Sequence, residues 1–413
     1  MPSSSLSVLV GSARFRLETG LDLAALLFLP VLALVSHWLA PLEAIAGLFA
    51  LGLALRGRVI AWRDLAAPAA PFAVLVLWGV LSALWSIDPA RSLLIALRLA
   101  GLFAAGLALL VSVPAIAEPE RLLRCFFAGL LIALAILIIQ RATGGLLTRP
   151  FFVRPFAAPQ LNQASDTLAI LALPMSATLW LRRRRGAPLL LLAATAAVIY
   201  GLVGTAAQAC LVGGALAALP FTRWRRILAP AAALVSVLVI VTAPLTFARF
   251  AQIAPLLHTA DEFKSSVPHR LLIWSFAGER IAEKPLLGWG LDSSRAIPGG
   301  KAWIRPTQSW LPLHPHNAPL QLWLELGVPG AVLLALVAAR LWLALGRWRA
   351  PPLFAAAGAG ALAAAFAETL GTYGMWEEWW VGTLWFALFL ILVMARSFEP
   401  AVQKRSQVRA AAT

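Results

Sequence analysis

The stretch from His314 to Gly330 combines residue types that can move a proton with an interruption of an apolar run. His314 and His316 flank a proline, Asn317 follows, and the sequence Gly-Val-Pro-Gly occupies positions 327–330. A neutral imidazole within hydrogen-bond reach of a hydroxyl can act as a general base near pH 7. Asn317 could orient the imidazole or bind sugar hydroxyls. A single loop histidine is more often structural or solvated, so the surrounding elements decide between these interpretations.

The rest of the chain has the composition of an integral membrane protein. It has 413 residues, of which 61% are hydrophobic, and its mean hydropathy is +0.83. A soluble domain cannot bury that much apolar surface in one core. The formal charge of +16 comes from short arginine clusters between apolar runs, which favours membrane lipids over a nucleic acid as partner. Cys125 and Cys210 lie inside apolar runs, so no disulfide framework is expected.

The apolar runs predict an all-α integral membrane fold of about twelve transmembrane helices. A spanning helix needs about 20 apolar residues. The runs cover roughly 22–39, 42–55, 70–86, 92–112, 121–139, 163–181, 187–203, 205–220, 228–245, 318–346, 352–371 and 380–395. The arginine clusters fall on alternate connections, which places both termini in the cytoplasm. The segment with Arg14 and Arg16 lacks a clear cleavage site and is expected to lead into a retained helix.

This layout divides the chain into four parts. Spans 1–9 form a bundle over residues 1–245, a large loop covers 246–317, spans 10–12 cover 318–398, and 399–413 form a cytoplasmic tail. The loop would lie on the periplasmic or extracellular side. Ser265 and Pro268 predict a helix start inside it, and that helix would run to about Glu283. Its first turn carries His269 and Arg270 at an end that favours phosphate.

Cations are unusually frequent in the two long loops on the outer side. Examples are Arg154 in the first loop and Arg270 and Arg295 in the second. Because orientation rules disfavour positive charge there, an anionic partner is expected. The planar guanidinium suits phosphate oxygens, so a lipid-linked diphosphate would fit. For any single arginine, contact with headgroups or solvent is the simpler interpretation.

Other chemistries find little support in the sequence. The long outer loops contain no paired acidic motif and no His/Cys/Asp cluster, so neither a metal nor another cofactor is expected. Patterns of serine hydrolases and phosphate-binding loops are also missing. Arg98, Asp166 and Glu368 lie within apolar runs. Such residues pair helices in a bundle or serve a proton-coupled transporter, and both interpretations stay open.

The opening stretch resembles the signature of the O-antigen ligase / polysaccharide polymerase family of membrane glycosyltransferases. That signature is His, then Asn, Ser or Gln, nine residues, Gly, two residues and Gly, and His316, Asn317, Gly327 and Gly330 match it. Four further segments are similar to the family in the same order: Trp85-Ser86-Ile87-Asp88-Pro89, Gln160-Leu161-Asn162, Arg270-Leu271-Leu272-Ile273-Trp274, and Pro285 to Gly290 with Gly288. Together these segments cover most of the chain.

The resemblance implies a twelve-span enzyme of the GT-C-like membrane class. It would move O-antigen polysaccharide from undecaprenyl diphosphate to the lipid A–core oligosaccharide, on the periplasmic face of the bacterial inner membrane and without a metal. His316 would be the general base of an inverting displacement, and Arg270 would neutralise the leaving diphosphate. The substrate-binding residues would be Arg154, Asn317, Asn162, Gln208, His314 and Arg295. The structural glycines would be Gly327, Gly330, Gly288 and Gly290.

One departure from the family concerns the connection after the seventh span. Relatives often carry an arginine there, whereas this chain has Thr205-Ala206-Ala207-Gln208. Gln208 can donate hydrogen bonds without a charge, and Arg154 or another loop cation could take the missing place. An O-antigen polymerase or a protein O-oligosaccharyltransferase would share the signature and differ in acceptor. A polytopic transporter using Arg98, Asp166 and Glu368 is the non-enzymatic alternative.

Overall fold

The computed structural model describes residues 3–57, 62–151, 158–184, 186–253 and 266–398. Residues 3–13 and 62–68 are described by their backbone alone. Arg154 and the tail 399–413 lie outside these ranges. The described chain is almost entirely helical. Its helices are α1 (Ser3–Val35), α2 (Leu39–Arg56), α3 (Trp62–Ser82), α4 (Pro89–Ser112), α5 (Pro119–Thr143), α6 (Asn162–Leu181), α7 (Ala187–Gly201), α8 (Thr205–Val241), α9 (Ala243–Thr246), α10 (Ser266–Glu283), α11 (Ala318–Arg347), α12 (Pro352–Thr369) and α13 (Glu378–Arg396).

The apolar helices confirm a multi-pass membrane protein. Within the described ranges, 8 helical segments are long and apolar enough to cross a membrane, and Ala69–Ser82 and Ala187–Gly201 are shorter apolar helices. The segment Arg14–Arg56 has 43 residues and contains α2 and the part of α1 from Arg14 onward. Helix α8 has 37 residues and is broken at Trp224, where φ is −117°. Each of these two segments covers two of the predicted apolar runs, and the number twelve stays a prediction.

Small residues let the central helices approach closely. Helix α8 packs along both α11 and α12, while α1 packs along α5. A Cβ on Gly214 of α8 would lie 2.8 Å from the carbonyl oxygen of Gly360 in α12, and a Cβ on Gly129 of α5 would lie 2.1 Å from that of Leu26. Helices in lipid associate through close backbone contacts of this kind. Burial of apolar side chains does not drive the association, because lipid tails are as apolar as the side chains of a neighbouring helix.

The long loop folds onto the end of the bundle through α10. The predicted helix from about Ser265 to Glu283 is observed as Ser266–Glu283. Its buried side packs with the short 3₁₀ segment Phe247–Gln252 and with α11. A two-stranded antiparallel hairpin follows, with β1 at Trp303–Arg305 and β2 at Gln308–Ser309. The segment that leads into His314 therefore follows directly after regular secondary structure.

Helix α11 is bent at Gly327, where the backbone has φ +64° and ψ −152°. This conformation is almost restricted to glycine. A Cβ here would lie 2.3 Å from the carbonyl oxygen of Leu286, and one on Gly288 would lie 2.4 Å from the carbonyl carbon of Glu325. The turn at 285–290 thus sits directly on the bend. Gly330 belongs to the same bend. A Cβ there would lie 2.5 Å from Cβ of Leu326, which is too close for any residue with a side chain.

The Gly327→Ala protein should therefore lose stability. The backbone conformation alone costs about 1–3 kcal/mol for a residue with a Cβ, and the overlap with Leu286 adds to it. Thermal unfolding of the detergent-purified protein measures the effect. Gly101→Ala in α4 is the matched control, because its Cβ would meet nothing within 4 Å. Equal unfolding temperatures for both variants would contradict this account of the bend.

Candidate functional site

His316 lies at the entrance to α11 with one ring nitrogen fixed by the protein. Its Nδ1 is 2.6 Å from the carbonyl oxygen of Thr372. A carbonyl only accepts, so we assign the proton of the neutral ring to Nδ1, which leaves the lone pair on Nε2. The residue is half-buried and has φ +54°. An imidazole held in this tautomer is suited to accept a proton at Nε2.

His314 supports the backbone of His316. Its Nδ1 accepts a hydrogen bond from the backbone N–H of His316 at 3.1 Å. The two rings are 4.2 Å apart between centroids. A Cβ on Gly374 would lie 2.8 Å from Cδ2 of His314, so this ring is packed into the protein. Burial, followed by the positive charges of His316 and Arg295, lowers the pKa of His314 to about 2. The neutral ring is therefore a hydrogen-bond acceptor in the support of His316.

Asn317 is the N-cap of α11. Its side-chain oxygen accepts from the backbone N–H of Leu320 at 2.9 Å, and its Nδ2 donates to the carbonyl oxygen of Leu370 at 3.0 Å. The residue is 0% exposed. Both polar groups are thus engaged with the protein. In this structure Asn317 fixes the start of the helix and, next to it, the orientation of His316.

Arg270 lies in the first turn of α10 and is brought into electrostatic range of His316. Burial lowers the pKa of His316 to about 4, the hydrogen bond to Thr372 opposes this, and the charge of Arg270 lowers it further, with a smaller contribution from His269. The indole of Trp274, on the same helix, donates to the carbonyl oxygen of Pro315 at 2.9 Å. This bond ties α10 to the histidine stretch. The predicted base and the predicted phosphate ligand therefore share one site.

Two buried carboxylates lie behind Arg270. Asp166 of α6 is 1% exposed and Glu368 of α12 is 0% exposed. Burial lowers the pKa of Arg270, while its electrostatic interactions with the ionisable groups Tyr373, Glu368 and Asp166 oppose this shift. The hydroxyl of Tyr373 donates to Oδ2 of Asp166. Arg98 belongs elsewhere, since its Nη1 is 2.5 Å from Glu378 on the half-exposed side of α4 and α13. The sequence had grouped these three intramembrane charges, and the structure separates Arg98 from the other two.

Glu325 joins three parts of the site through one buried carboxylate. It is 0% exposed. Its oxygens accept from four donors: the backbone N–H of Asp292 at 2.6 Å, the hydroxyl of Ser294 at 2.5 Å, Nε2 of Gln321 at 3.1 Å and the indole of Trp376 at 2.5 Å. Sequence reasoning missed this residue. A glutamate inside an apolar run was the available signal.

Arg295 approaches the site from the loop after α10. Its Nη2 is 3.6 Å from Oε1 of Glu377, and Nε2 of His314 is 3.9 Å from the same oxygen. On the other side, Nη2 of Arg91 is 2.5 Å from Oδ2 of Asp292. Arg295, which the sequence predicts to bind substrate, thus interacts with Glu377, and Glu377 in turn lies next to His314.

Asn162 and Gln208 lie at the neighbouring ends of α6 and α8. A Cβ on Gly204 would be 2.9 Å from Oδ1 of Asn162. Within the described part of the chain, that buried oxygen has no hydrogen-bond partner. Nε2 of Gln208 is 3.5 Å from the carbonyl oxygens of Ile199 and Leu202, which is a long contact. Arg154, the third candidate from this side, lies outside the described residues.

Two of the segments that resemble the family, 85–89 and 285–290, meet beside the bend of α11. The indole of Trp85 donates to the carbonyl oxygen of Leu287 at 3.2 Å, and the backbone N–H of Ile87 donates to that of Trp289 at 3.2 Å. Gly290 has φ +107°, and a Cβ there would lie 2.2 Å from Oγ of Ser86. These segments therefore form a frame under the histidine stretch. Within the described residues, no group of three or more His, Cys, Asp or Glu side chains could hold a metal ion.

Comparison with known proteins shows similarity to the same family. Residues 161–335 match the family model described as O-Antigen ligase. A protein of Rickettsia conorii named "putative polysaccharide ligase" is 26% identical over 325 residues, which is 77% of this chain and 77% of that protein. A protein of the same name from Rickettsia felis is 26% identical over 326 residues, 77% of this chain and 78% of the relative. The signature around His316 lies inside the matched region, and this part of the chain is similar to the O-antigen ligase family.

Proposed function

We propose that this protein transfers O-antigen polysaccharide from undecaprenyl diphosphate to the lipid A–core oligosaccharide at the periplasmic face of the inner membrane. Similarity to the O-antigen ligase family and to polysaccharide ligases supports a ligase-type glycosyltransferase. The observation that carries the proposal is the fixed tautomer of His316, whose Nδ1 is 2.6 Å from the carbonyl oxygen of Thr372, within range of the Arg270 charge. A base beside a cation is what displacement of a diphosphate by a hydroxyl requires.

In the proposed reaction the acceptor hydroxyl oxygen attacks the anomeric carbon of the donor sugar. Nε2 of His316 takes the hydroxyl proton while the bond from the anomeric carbon to the phosphate oxygen breaks. The electron pair of that bond leaves with undecaprenyl diphosphate, and the configuration inverts. Arg270 neutralises the charge that develops on the leaving group, with Arg154 as a second candidate from the sequence and Arg295 as a nearby cation. A diphosphate is already a good leaving group, so the reaction is proposed to need no metal.

The low pKa of His316 fits this cycle. In the protein without substrate the ring is neutral at pH 7 because its pKa is about 4. It is then free to accept a proton but is a weak base. A bound diphosphate brings negative charge next to Arg270, which offsets the cation and raises the pKa of His316 toward the working pH. The base would thus strengthen when the donor is in place.

An apolar cavity supports a lipid-linked donor. It has a volume of about 390 Å³ and is lined by side chains of α3, α11, α12 and α13. Met375 and Trp376 line one end, and Trp348, just past the end of α11, lines the other. The connector 370–377, which joins α12 to α13, contributes both Met375 at the cavity and Thr372 at His316. A prenyl chain in this cavity would leave its diphosphate beside the histidine.

The orientation is argued from charge. The arginine clusters in the first half of α1 and at the ends of α2, α6 and α13 fall on one side if the chain crosses twelve times. That side is then the cytoplasm and holds both termini. The connector 370–377 and the loop containing α10 fall on the opposite side. The active site would face the periplasm.

Transfer by the purified protein tests the proposal directly. Undecaprenyl-diphosphate glycan is incubated with either lipid A–core or a short glycan acceptor, and products are separated by gel. Extension of lipid A–core is the expected result. Extension of the glycan alone would identify a polymerase and overturn the acceptor assignment. Loss of transfer with a chelator and its return with added metal would overturn the metal-free mechanism.

A further inference from the structure

The connector 370–377 carries the group that fixes the tautomer of His316. Besides Thr372, its Leu370 carbonyl accepts from Nδ2 of Asn317 at 3.0 Å. Its Met375 N–H donates to Oε1 of Gln321 at 2.8 Å. The connector is therefore held against α11 along most of its length, and the catalytic geometry depends on where it lies.

Tyr373 ties the same connector to the opposite helix. Its hydroxyl donates to Asp166 of α6. The ring packs edge-on against Trp379 at 4.5 Å between centroids and against Trp380 at 5.4 Å. Burial, followed by the charge and hydrogen bond of Asp166, raises the pKa of Tyr373 well above its ordinary value. The phenol is thus a permanent donor to Asp166.

The Thr372 carbonyl and Tyr373 share one peptide unit. The planar bond places the carbonyl oxygen of Thr372 and the Cα of Tyr373 in the same rigid plane. A shift of Tyr373 therefore rotates the acceptor of the His316 Nδ1–H bond. The hydroxyl of Thr372 bonds the carbonyl oxygen of Glu368 at 2.6 Å. That bond fixes the end of α12. The orientation of the peptide bond between Thr372 and Tyr373 therefore depends on the position of Tyr373.

We propose that the Tyr373–Asp166 hydrogen bond is a positioning latch, which orients the Thr372 carbonyl and through it holds His316 with Nε2 as the base. The inference rests on the proposed function, in which His316 takes the proton of the acceptor. Neither residue of the latch touches the reacting atoms. Their contribution is to the orientation and tautomer of the base.

Tyr373→Phe removes only the hydroxyl and is the first test. We expect kcat to fall about 10-fold, which is about 1.4 kcal/mol in the barrier, while KM for the donor is unchanged. Tyr200→Phe is the matched control, because Tyr200 is the other tyrosine of the chain and is 54% exposed. Wild-type kcat in Tyr373→Phe would overturn the latch.

Two substitutions of Asp166 separate positioning from general damage. Asparagine keeps an oxygen that accepts from Tyr373, so Asp166→Asn should retain much more activity than Asp166→Leu. The double variant Asp166→Leu/Tyr373→Phe should be no slower than the worse single variant, because both break one bond. Fully additive losses would overturn the latch. Failure of Tyr373→Phe to fold, with Asp166→Asn inactive, would assign the pair to stability alone and overturn it as well.

The tautomer can be read without activity. In ¹⁵N-histidine NMR of the purified protein, the neutral ring of His316 should carry its proton on Nδ1 in the wild type and should be a mixture of the Nδ1–H and Nε2–H tautomers in Tyr373→Phe. The charged and titratable groups that face His316 are Arg270 and His269 from α10 and His314 from its own segment. Those that face the latch are Glu368 and Arg270. An unchanged tautomer in Tyr373→Phe would overturn the latch even if His316 proves not to be the base, whereas transfer by a His316 variant would overturn the proposed function alone.

Discussion

His316→Asn protein should reach the membrane in normal amount and transfer glycan about 100- to 10,000-fold more slowly than the wild type, the range that a general base contributes. Asparagine is the sharper choice because His316 has φ +54°, and asparagine accepts this conformation better than most residues. His316→Ala should be at least as inactive. Initial rates with purified protein measure the loss. His37→Ala is the control and should keep full activity, because His37 is exposed in the 3₁₀ turn Ser36–Trp38 after α1. Near-normal lipopolysaccharide in a null strain that expresses either His316 variant would remove His316 as the base.

The same assignment fixes the pH dependence. The folded pKa of His316 is about 4, so the ring of the free enzyme is neutral and competent above that pH and loses the base form below it. The profile of kcat/KM reports the free enzyme and should fall on the acid side near pH 4. The profile of kcat reports the complex, in which the diphosphate raises this pKa. Its acid limb should therefore lie at higher pH, and coincident limbs would contradict the proposed interaction between donor and base.

Arg270→Lys should cost nearly as much as loss of an oxyanion donor, about 100- to 1,000-fold in kcat. Lysine keeps the charge, but its ammonium cannot form the two parallel hydrogen bonds that a guanidinium gives to phosphate. The buried carboxylates Asp166 and Glu368 also face this position, so a shorter, more hydrated cation would be drawn toward them. Initial rates at saturating donor measure the change in kcat.

The control for Arg270 lies on the same helix. Nη1 of Arg280 is 2.6 Å from Oε1 of Glu283 in an i,i+3 pair, far along α10 from the histidine stretch. Partly exposed pairs of this kind contribute little to stability. Arg280→Lys should transfer at close to the wild-type rate. If Arg270→Lys behaved in the same way, its proposed contact with the leaving group would be wrong.

Features with a local cause could be predicted from the sequence. Apolar runs reveal membrane helices because each helix satisfies its own backbone in lipid. The start of α10 follows from Ser265 and Pro268, and the bend of α11 from Gly327 and Pro329. Asn317 carried a local signal as well, since an asparagine before a proline in the first helical turn is typical of an N-cap.

Features made by distant contacts could not be predicted in this way. The acceptor for His316 is a backbone carbonyl at Thr372, and every residue has a carbonyl. Glu325 collects donors from the loop after α10 and from the connector, which are joined only by the folded chain. Asp166 lies in α6, and Tyr373 lies in the connector 370–377, which is far from Asp166 in the sequence. No fixed sequence spacing relates two such residues. The apolar run shows that Asp166 is unusual, but it does not identify Tyr373 as its partner.

The order in which the parts of the site are made has a consequence for biosynthesis. Arg270, His316 and Glu325 leave the ribosome before the connector 370–377 exists. The carbonyl of Thr372 and the indole of Trp376 arrive only when α12 has been inserted, close to the end of the 413-residue chain. In a nascent or truncated chain, His316 therefore lacks the carbonyl that fixes its tautomer, and Glu325 lacks the indole donor of Trp376. The contacts that fix His316 and Glu325 are therefore complete only after α12 and the connector have joined the bundle.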